Sequence, residues 1–162
     1  MKIAASFKTN EVRIKRMNCR NECLKQLRAE TLARLIEDMN NDADLYRATV
    51  KNLILQGMIK LLEDEVELLC RKGETDLIEG LVQECEEEFS AHMLEQTGRE
   101  YSTKLTVITN SFLSLEEGSE CGGVILIAHE RRIVVPNTLL DRLNLVFEAE
   151  LPRIRHMLFP RQ

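Results

Sequence analysis

Residues 8–40 contain neither proline nor glycine. Both residue types disfavour helix interiors, so this stretch predicts one long helix. Its apolar residues form a sparse seam with spacings of three, four and seven, and the members that we assign to a partner-helix seam are Ile14, Met17, Leu24 and Leu35. Asn21 and Arg28 occupy positions of the same seam. Because so thin a strip cannot cover a core alone, we expect this helix to need a partner helix.

The remainder of the chain predicts a globular head. The segment MNNDAD at 39–44 is expected to interrupt the first helix and to supply an Asn or Asp cap for the next one. The second helix carries an apolar face formed by Tyr46, Val50, Leu53, Ile54, Met58 and Leu61. Alternating Val66, Leu68 and Cys70 then predict a strand. A third helix is expected to follow, with Asp76 and Glu79 at capping-box spacing.

Three more strands are predicted from KLTVIT, GVILIAH and RIVV, the last two joined by a hairpin around Glu130 and Arg131. The fold class is therefore α+β. We expect a long N-terminal helix and then a head in which helices pack on a mixed sheet of roughly four strands. As domains, we assign residues 1–40 to the helix and residues 41–162 to the head.

The stretch IVVPNTLLDRL, residues 133–143, predicts the passage from the last strand into the last helix. We expect Pro136 to stop the strand, and Thr138 and Asp141 have the spacing of a capping box. Pro152 predicts a kink or restart of that helix. The residues expected to pack inward at helical spacing are Leu139, Leu140, Leu143, Val146 and Phe147.

The sequence does not assemble a recognisable catalytic, metal or cofactor site. The five cysteines are irregularly spaced and the three histidines are scattered, so we expect free thiols and no metal site. Gly122 and Gly123 belong to no phosphate-binding motif and predict a turn. We therefore expect no catalytic residue and no cofactor. A hydrolase that pairs Cys70, Cys85 or Cys121 with a histidine stays as a weaker alternative, because no base lies at recognisable spacing.

The charge distribution is uneven along the chain, which has a net charge of −5. The first 34 residues are rich in Lys and Arg, whereas residues 63–100 are dominated by acids, for which we expect a solvated helix face. A basic helix favours nucleic-acid binding as an alternative function. Interleaved glutamates and an aromatic content of only 4% argue against a base-stacking surface. Residues 1–16 lack the apolar run of a secretion signal, so we expect a cytosolic chain.

Two long stretches of the sequence match the pattern of a known family. The run GGVILIAHERRIVVPNTLLDRLNLVFEAELPRIRHMLF, residues 122–159, is similar to the C-terminal signature of the E subunit of vacuolar-type proton-pumping ATPases. Residues 55–72, LQGMIKLLEDEVELLCRK, resemble the family's second helix and the strand after it. The family motif at the strand-helix junction is carried by Asn137, Thr138, Leu139, Arg142 and Leu143. The resemblance covers roughly residues 8–160, while the hairpin HERR replaces the family's glycine-containing turn.

The resemblance implies a structural role without chemistry. Such subunits form peripheral stalks, or stators, that hold the catalytic head of a rotary proton pump against rotation. The implied partners are a helix like that of the G subunit, components of the catalytic ring and other stator subunits, with no specific nucleic acid. The implied location is the cytoplasmic side of an acidified organelle, with the membrane reached only through the complex. Family members begin with a longer charged helix, so we expect this chain to be an N-terminally shortened form.

Overall fold

The computed structural model describes residues 2–109 and 122–160, with side chains from Phe7 onward. The described residues form four helices and four strands. In chain order these are α1 (Lys2–Asn41), α2 (Ala43–Leu61), β1 (Glu65–Leu69), α3 (Thr75–Thr97), β2 (Lys104–Val107), β3 (Gly123–Ala128), β4 (Ile133–Thr138) and α4 (Leu139–Leu158).

The long first helix ends where the sequence predicted an interruption. Asp42 separates α1 from α2, and its side chain accepts a hydrogen bond from the backbone N–H of Leu45 at 2.9 Å. An aspartate at this position satisfies one of the free N–H groups of the first turn of α2. The predicted cap is therefore confirmed, and the chain can change direction between the two helices.

The four strands form one mixed sheet with the order β2-β1-β3-β4. The β1–β2 pair is parallel, while β3 pairs antiparallel with both β1 and β4. Leu68, Leu126 and Val135 lie in one row across three strands, and all three are buried beneath the helices. This architecture confirms the predicted α+β class and its mixed four-stranded sheet.

Helices α2 and α3 cover one face of the sheet. The buried face of α2 comprises Tyr46, Val50, Leu53, Ile54, Gly57 and Met58, close to the predicted set. A methyl group on Gly57 would overlap the side chain of Leu126, so glycine lets α2 approach β3 closely. From α3, Cys85 and Phe89 are completely buried in the same core. Part of α1 packs against this core through Leu32, Leu35, Ile36 and Met39.

The prediction that Pro136 stops the last strand is wrong. Strand β4 continues to Thr138, with Pro136 paired opposite Ile125. Proline is tolerated here because β4 is an edge strand, where a missing N–H removes no hydrogen bond to a further strand. The predicted hairpin is confirmed, and its residues His129, Glu130 and Arg131 all have positive φ.

The predicted cap of α3 is also wrong. The helix begins at Thr75, and Glu74 occupies the cap position without a side-chain hydrogen bond to the first turn. The Glu74 carboxylate instead points to Tyr46 and Arg71. Asp76 falls within the first turn, where its charge still favours the helix dipole.

Helix α4 departs most from the expectation. Leu139 is buried and Leu140, Leu143 and Phe147 are half-buried, but Val146 is 60% exposed. The reason is that α4 contacts both β4 and α1, with Asn144 and Phe159 lying against arginines of α1. It also remains helical through Pro152, so the predicted restart is wrong. We call residues 16–28 of α1 and residues 144–158 of α4, with Phe159 and Pro160 that follow, the helical arm.

Candidate interaction site

The family motif lies at the junction of β4 and α4, where some of its residues stabilise the fold. Asn137 is 4% exposed, and its side-chain amide donates to the carbonyl of Leu53 at 2.7 Å. This hydrogen bond joins the edge strand to α2. Leu139 is buried, whereas Leu143 is half-buried and Arg142 is exposed. Part of the motif therefore faces the core and part remains available at the surface.

Thr138 and Asp141 form the predicted cap of α4. The Thr138 hydroxyl accepts the backbone N–H of Asp141 at 3.1 Å and donates to its carboxylate at 2.5 Å. The backbone N–H of Leu139 donates to the carbonyl of Gly122 at 3.2 Å. Gly123 has positive φ, and a side chain there would press on the Thr138 backbone. The two glycines thus fix the start of α4 against β3.

Sequence reasoning missed a buried polar cluster beside this junction. The Tyr46 hydroxyl donates to Glu74 Oε1 at 2.7 Å and accepts the Gly123 N–H at 3.2 Å. Arg71 Nη2 lies 2.6 Å from the same carboxylate oxygen. Burial, followed by the hydrogen bond to Glu74, raises the pKa of Tyr46 well above its usual value. The phenol therefore stays protonated and links α2, the α3 entry and β3. No local pattern in RKGETD indicates that Glu74 contacts Tyr46 of α2.

The described cysteines are poorly suited to nucleophilic chemistry where they are buried. Burial raises the pKa of the Cys85 thiol to about 11, and burial also raises the pKa of Cys70. Both thiols are protonated at neutral pH, and the thiolate is the reactive form. Cys19 and Cys23 are exposed on α1, and Cys121 lies outside the described residues. Within residues 2–109 and 122–160, no group of three metal-ligating side chains comes together.

The acidic segment of α3 is more than a solvated face. Lys51 Nζ on α2 lies 2.7 Å from Glu84 and 2.6 Å from Glu88. Glu86 accepts the backbone N–H of Leu105 at 2.7 Å, on the outermost strand β2. The hydrogen bond from Lys51 lowers the pKa of Glu84. These acids therefore attach α3 to α2 and to the sheet edge.

The four predicted seam residues of α1 lie in different surroundings. Leu24 is 7% exposed, and Leu35 packs against the head core. Ile14 and Met17 remain about half exposed, at 49% and 54%. The sequence did not reveal that α4 of the same chain lies beside Leu24. Arg28 donates to the Asn144 side chain at 2.5 Å, which makes one seam interruption a contact between the two helices.

A groove of about 1120 Å³ lies between the two helices of the arm. Its lining from α1 comprises Arg16, Met17, Arg20, Asn21 and Leu24, and its lining from the other side comprises Pro152, Arg155, His156, Phe159 and Pro160. The guanidinium of Arg20 lies 5.1 Å from the centroid of the Phe159 ring. This cation–π contact holds the end of α4 against α1. Two of the four predicted seam residues, Met17 and Leu24, therefore line a groove that α1 and α4 form together.

Comparison with known proteins identifies the family. The family model described as ATP synthase (E/31 kDa) subunit matches residues 1–159. The V-type proton ATPase E subunit of Dictyostelium discoideum is 34% identical over 164 residues, which cover 98% of this chain and 67% of that protein. The corresponding E subunits of Caenorhabditis elegans and Drosophila melanogaster are 33% and 31% identical, with 98% and 99% of this chain and 66% of each relative covered.

The chain thus spans about two thirds of the length of the curated relatives that it matches. The match extends through α1, the head and α4, so it includes both the buried junction and the groove. It also confirms the resemblance that the two long sequence stretches indicated. The chain belongs to the ATP synthase (E/31 kDa) subunit family, whose matched members here are E subunits of V-type proton ATPases.

Proposed function

We propose that this chain is a non-catalytic peripheral stalk subunit of a V-type proton-pumping ATPase and acts as a stator. The observation that carries the proposal is the family match over residues 1–159. The arrangement of the helices supports it. A long helix with exposed apolar residues leads from a well-packed head, which suits a protein that bridges two parts of a larger machine.

Within this proposal the two predicted domains have different tasks. Residues 1–40 form the stalk segment and pair with a helix like that of the G subunit. Residues 41–162 form the head, which docks on components of the catalytic ring, while other stator subunits complete the assembly. The complex lies on the membrane of an acidified organelle, with this chain on its cytoplasmic side. None of the described helices combines the length and apolarity needed to cross a bilayer.

The experiment is affinity purification of the tagged chain from its native cells, followed by mass spectrometry and an ATPase assay. The proposal predicts catalytic-ring subunits and a G-type subunit in stoichiometric amounts. It also predicts that the purified chain has no ATPase activity of its own. Any residual ATPase rate in the preparation should therefore be unchanged by a point substitution in this chain. Recovery of the chain without any ATPase subunit would overturn the proposal.

Nucleic-acid binding is a second candidate, which the arginines of the groove favour. Phosphate neutralisation would make the affinity fall steeply as salt rises. The Phe159 ring, however, is engaged by Arg20 and is not free to stack on a base. Titration of duplex and single-stranded oligonucleotides at several salt concentrations distinguishes this candidate from the stalk function.

A further inference from the structure

The groove of the helical arm has an unusual charge composition for this chain. The whole chain has a net charge of −5, yet none of the described residues that line the groove is acidic. Arg16, Arg20, Arg155 and His156 all line it. Among the described residues, Arg16 and Arg155 have no carboxylate partner for their side chains. The groove thus concentrates positive charge that the rest of the described chain does not neutralise.

The apolar part of the lining indicates what kind of molecule fits. Met17, Leu24, Pro152 and Phe159 line the same groove as the arginines. A helix that lies in such a groove buries one apolar stripe and places its flanking side chains beside the rims. Because three arginines line the groove and no acidic residue does, glutamate or aspartate flanks are complementary and lysine flanks are not.

We propose that the groove between α1 and α4 binds an acidic amphipathic helix of a partner protein. This inference rests on the proposed stalk function and specifies its helical partner by chemistry and by place. The binding surface then includes the last turns of α4 in addition to the seam of α1. A flat anionic membrane would contact the exposed arginines but would not reach Leu24, which is only 7% exposed.

The test uses the full chain and designed peptides. The first peptide is an amphipathic helix with leucine along one face and glutamate on both flanks. The second has glutamine in place of each glutamate, and the third has the composition of the first in scrambled order. We expect the first peptide to bind at least about tenfold more tightly than either of the others, as complementary charge and an apolar stripe together require.

Charge-reversed variants locate the binding. Arg16→Glu combined with Arg155→Glu should weaken binding of the glutamate peptide by about tenfold or more, because like charges would then face each other. The matched control is Lys15→Glu with Arg153→Glu, which changes the charge equally outside the groove. The control should bind within about twofold of the parent chain. Circular dichroism and melting of each variant show whether the fold is retained.

Several results would overturn the inference. Equal weakening by both double variants would indicate a non-specific charge effect, and equal binding of the scrambled peptide would indicate a polyanion site. Binding to phosphatidylserine vesicles or to an oligonucleotide, without binding to the helical peptide, would assign the arginines to a membrane or a nucleic acid. If the peptide fails while the chain still purifies with ATPase subunits, this inference is wrong and the stalk function stands. If the peptide binds while no ATPase subunit is recovered, the stalk function fails instead.

Discussion

The core of the head, formed by α2, α3 and the sheet, differs from the helical arm in how completely it buries its apolar residues. In the head, Leu68, Phe89 and Leu126 have no exposed surface. In the arm, Leu24 is buried, while Met17 and Val146 remain more than half exposed. Burial of apolar area is the main favourable contribution to folding, at about 25 cal/mol per Å². Most of this contribution therefore comes from the core of the head, whereas the arm leaves apolar side chains exposed.

The polar contacts show the same division. The head buries a connected cluster around Tyr46 and Glu74, in which Glu74 is only 8% exposed. Two contacts of the arm, Arg28 with Asn144 and Arg20 with Phe159, each join an exposed arginine to a half-buried side chain. Exposed contacts contribute little to stability because water competes for both partners. We therefore expect the core of the head to be more rigid than the helical arm.

The largest effect should come from the centre of the head. Phe89→Ala removes a completely buried ring between α3 and the sheet, and we expect a loss of about 3–5 kcal/mol in the free energy of unfolding. Phe7→Ala is the matched control, since Phe7 is 75% exposed on α1. Denaturant unfolding followed by circular dichroism measures both. Similar losses for the two variants would break the proposed contrast between head and arm.

A smaller loss is expected where β4 is tied to α2. Asn137→Ala removes the amide that donates to the Leu53 carbonyl, and it should lower the free energy of unfolding by about 1–3 kcal/mol. Asn52→Ala is a matched control for the loss of an exposed amide on α2. The same unfolding experiment applies, and an unchanged stability of the Asn137 variant would show that the motif has no structural role.

The cap of α4 should matter less. Thr138→Ala removes the hydroxyl that accepts the Asp141 N–H, with an expected loss of about 1 kcal/mol. Thr138→Ser retains that hydroxyl and should stay close to the parent chain. If serine and alanine destabilise the protein equally, the lost methyl contact is responsible and the cap is unimportant.

Exposed apolar residues of the arm should be nearly neutral in the isolated chain. Val146→Ala is expected to change the free energy of unfolding by no more than about 0.5 kcal/mol, because the side chain is already mostly in water. Leu139→Ala, on the same helix but buried, should cost about 2–5 kcal/mol. A Val146 loss as large as that of Leu139 would mean that α4 packs into the head over its whole length.

The smallest effect concerns the ion pairs between α2 and α3. The pKa of Glu84 is lowered in the folded chain, so its stabilising contribution is present above the usual pKa and is lost as the pH falls through the lowered value. Lys51→Met should therefore lower the melting temperature slightly at neutral pH. The difference between variant and parent should shrink as the pH falls through the lowered pKa of Glu84, because the protonated carboxyl no longer carries the charge that Lys51 stabilises. A difference that persists in acid would assign the effect to packing of the lysine stem.

Much of the fold could be predicted from local patterns, and the misses share a physical cause. The helices and strands follow apolar periodicity, and the caps at Asp42 and Thr138 follow short side-chain spacing. Strand β4 continues through Pro136 because β4 lies at the edge of the sheet. The order of strands in a sheet cannot be predicted from a local pattern. Glu74 was missed because its partners lie far away in sequence.

The same limit applies to the interaction surface. The sequence indicated that the α1 seam needs a partner, but periodicity on one helix cannot show which element lies opposite. The α4 face was predicted to point inward because its apolar spacing is helical, although Val146 proved to be exposed. Only the tertiary arrangement brings Arg16 and Arg155 to one groove.

We expect the core of the head to be rigid by itself and the helical arm to become stable on assembly. Hydrogen exchange of the isolated chain and of the same chain within the purified ATPase complex tests this most directly. We predict slow exchange in α2, α3 and the sheet in both samples, and fast exchange in residues 16–28 and 144–158 that slows strongly in the complex. Equal protection of arm and head in a dilute, isolated monomer, with no change on assembly, would contradict the account.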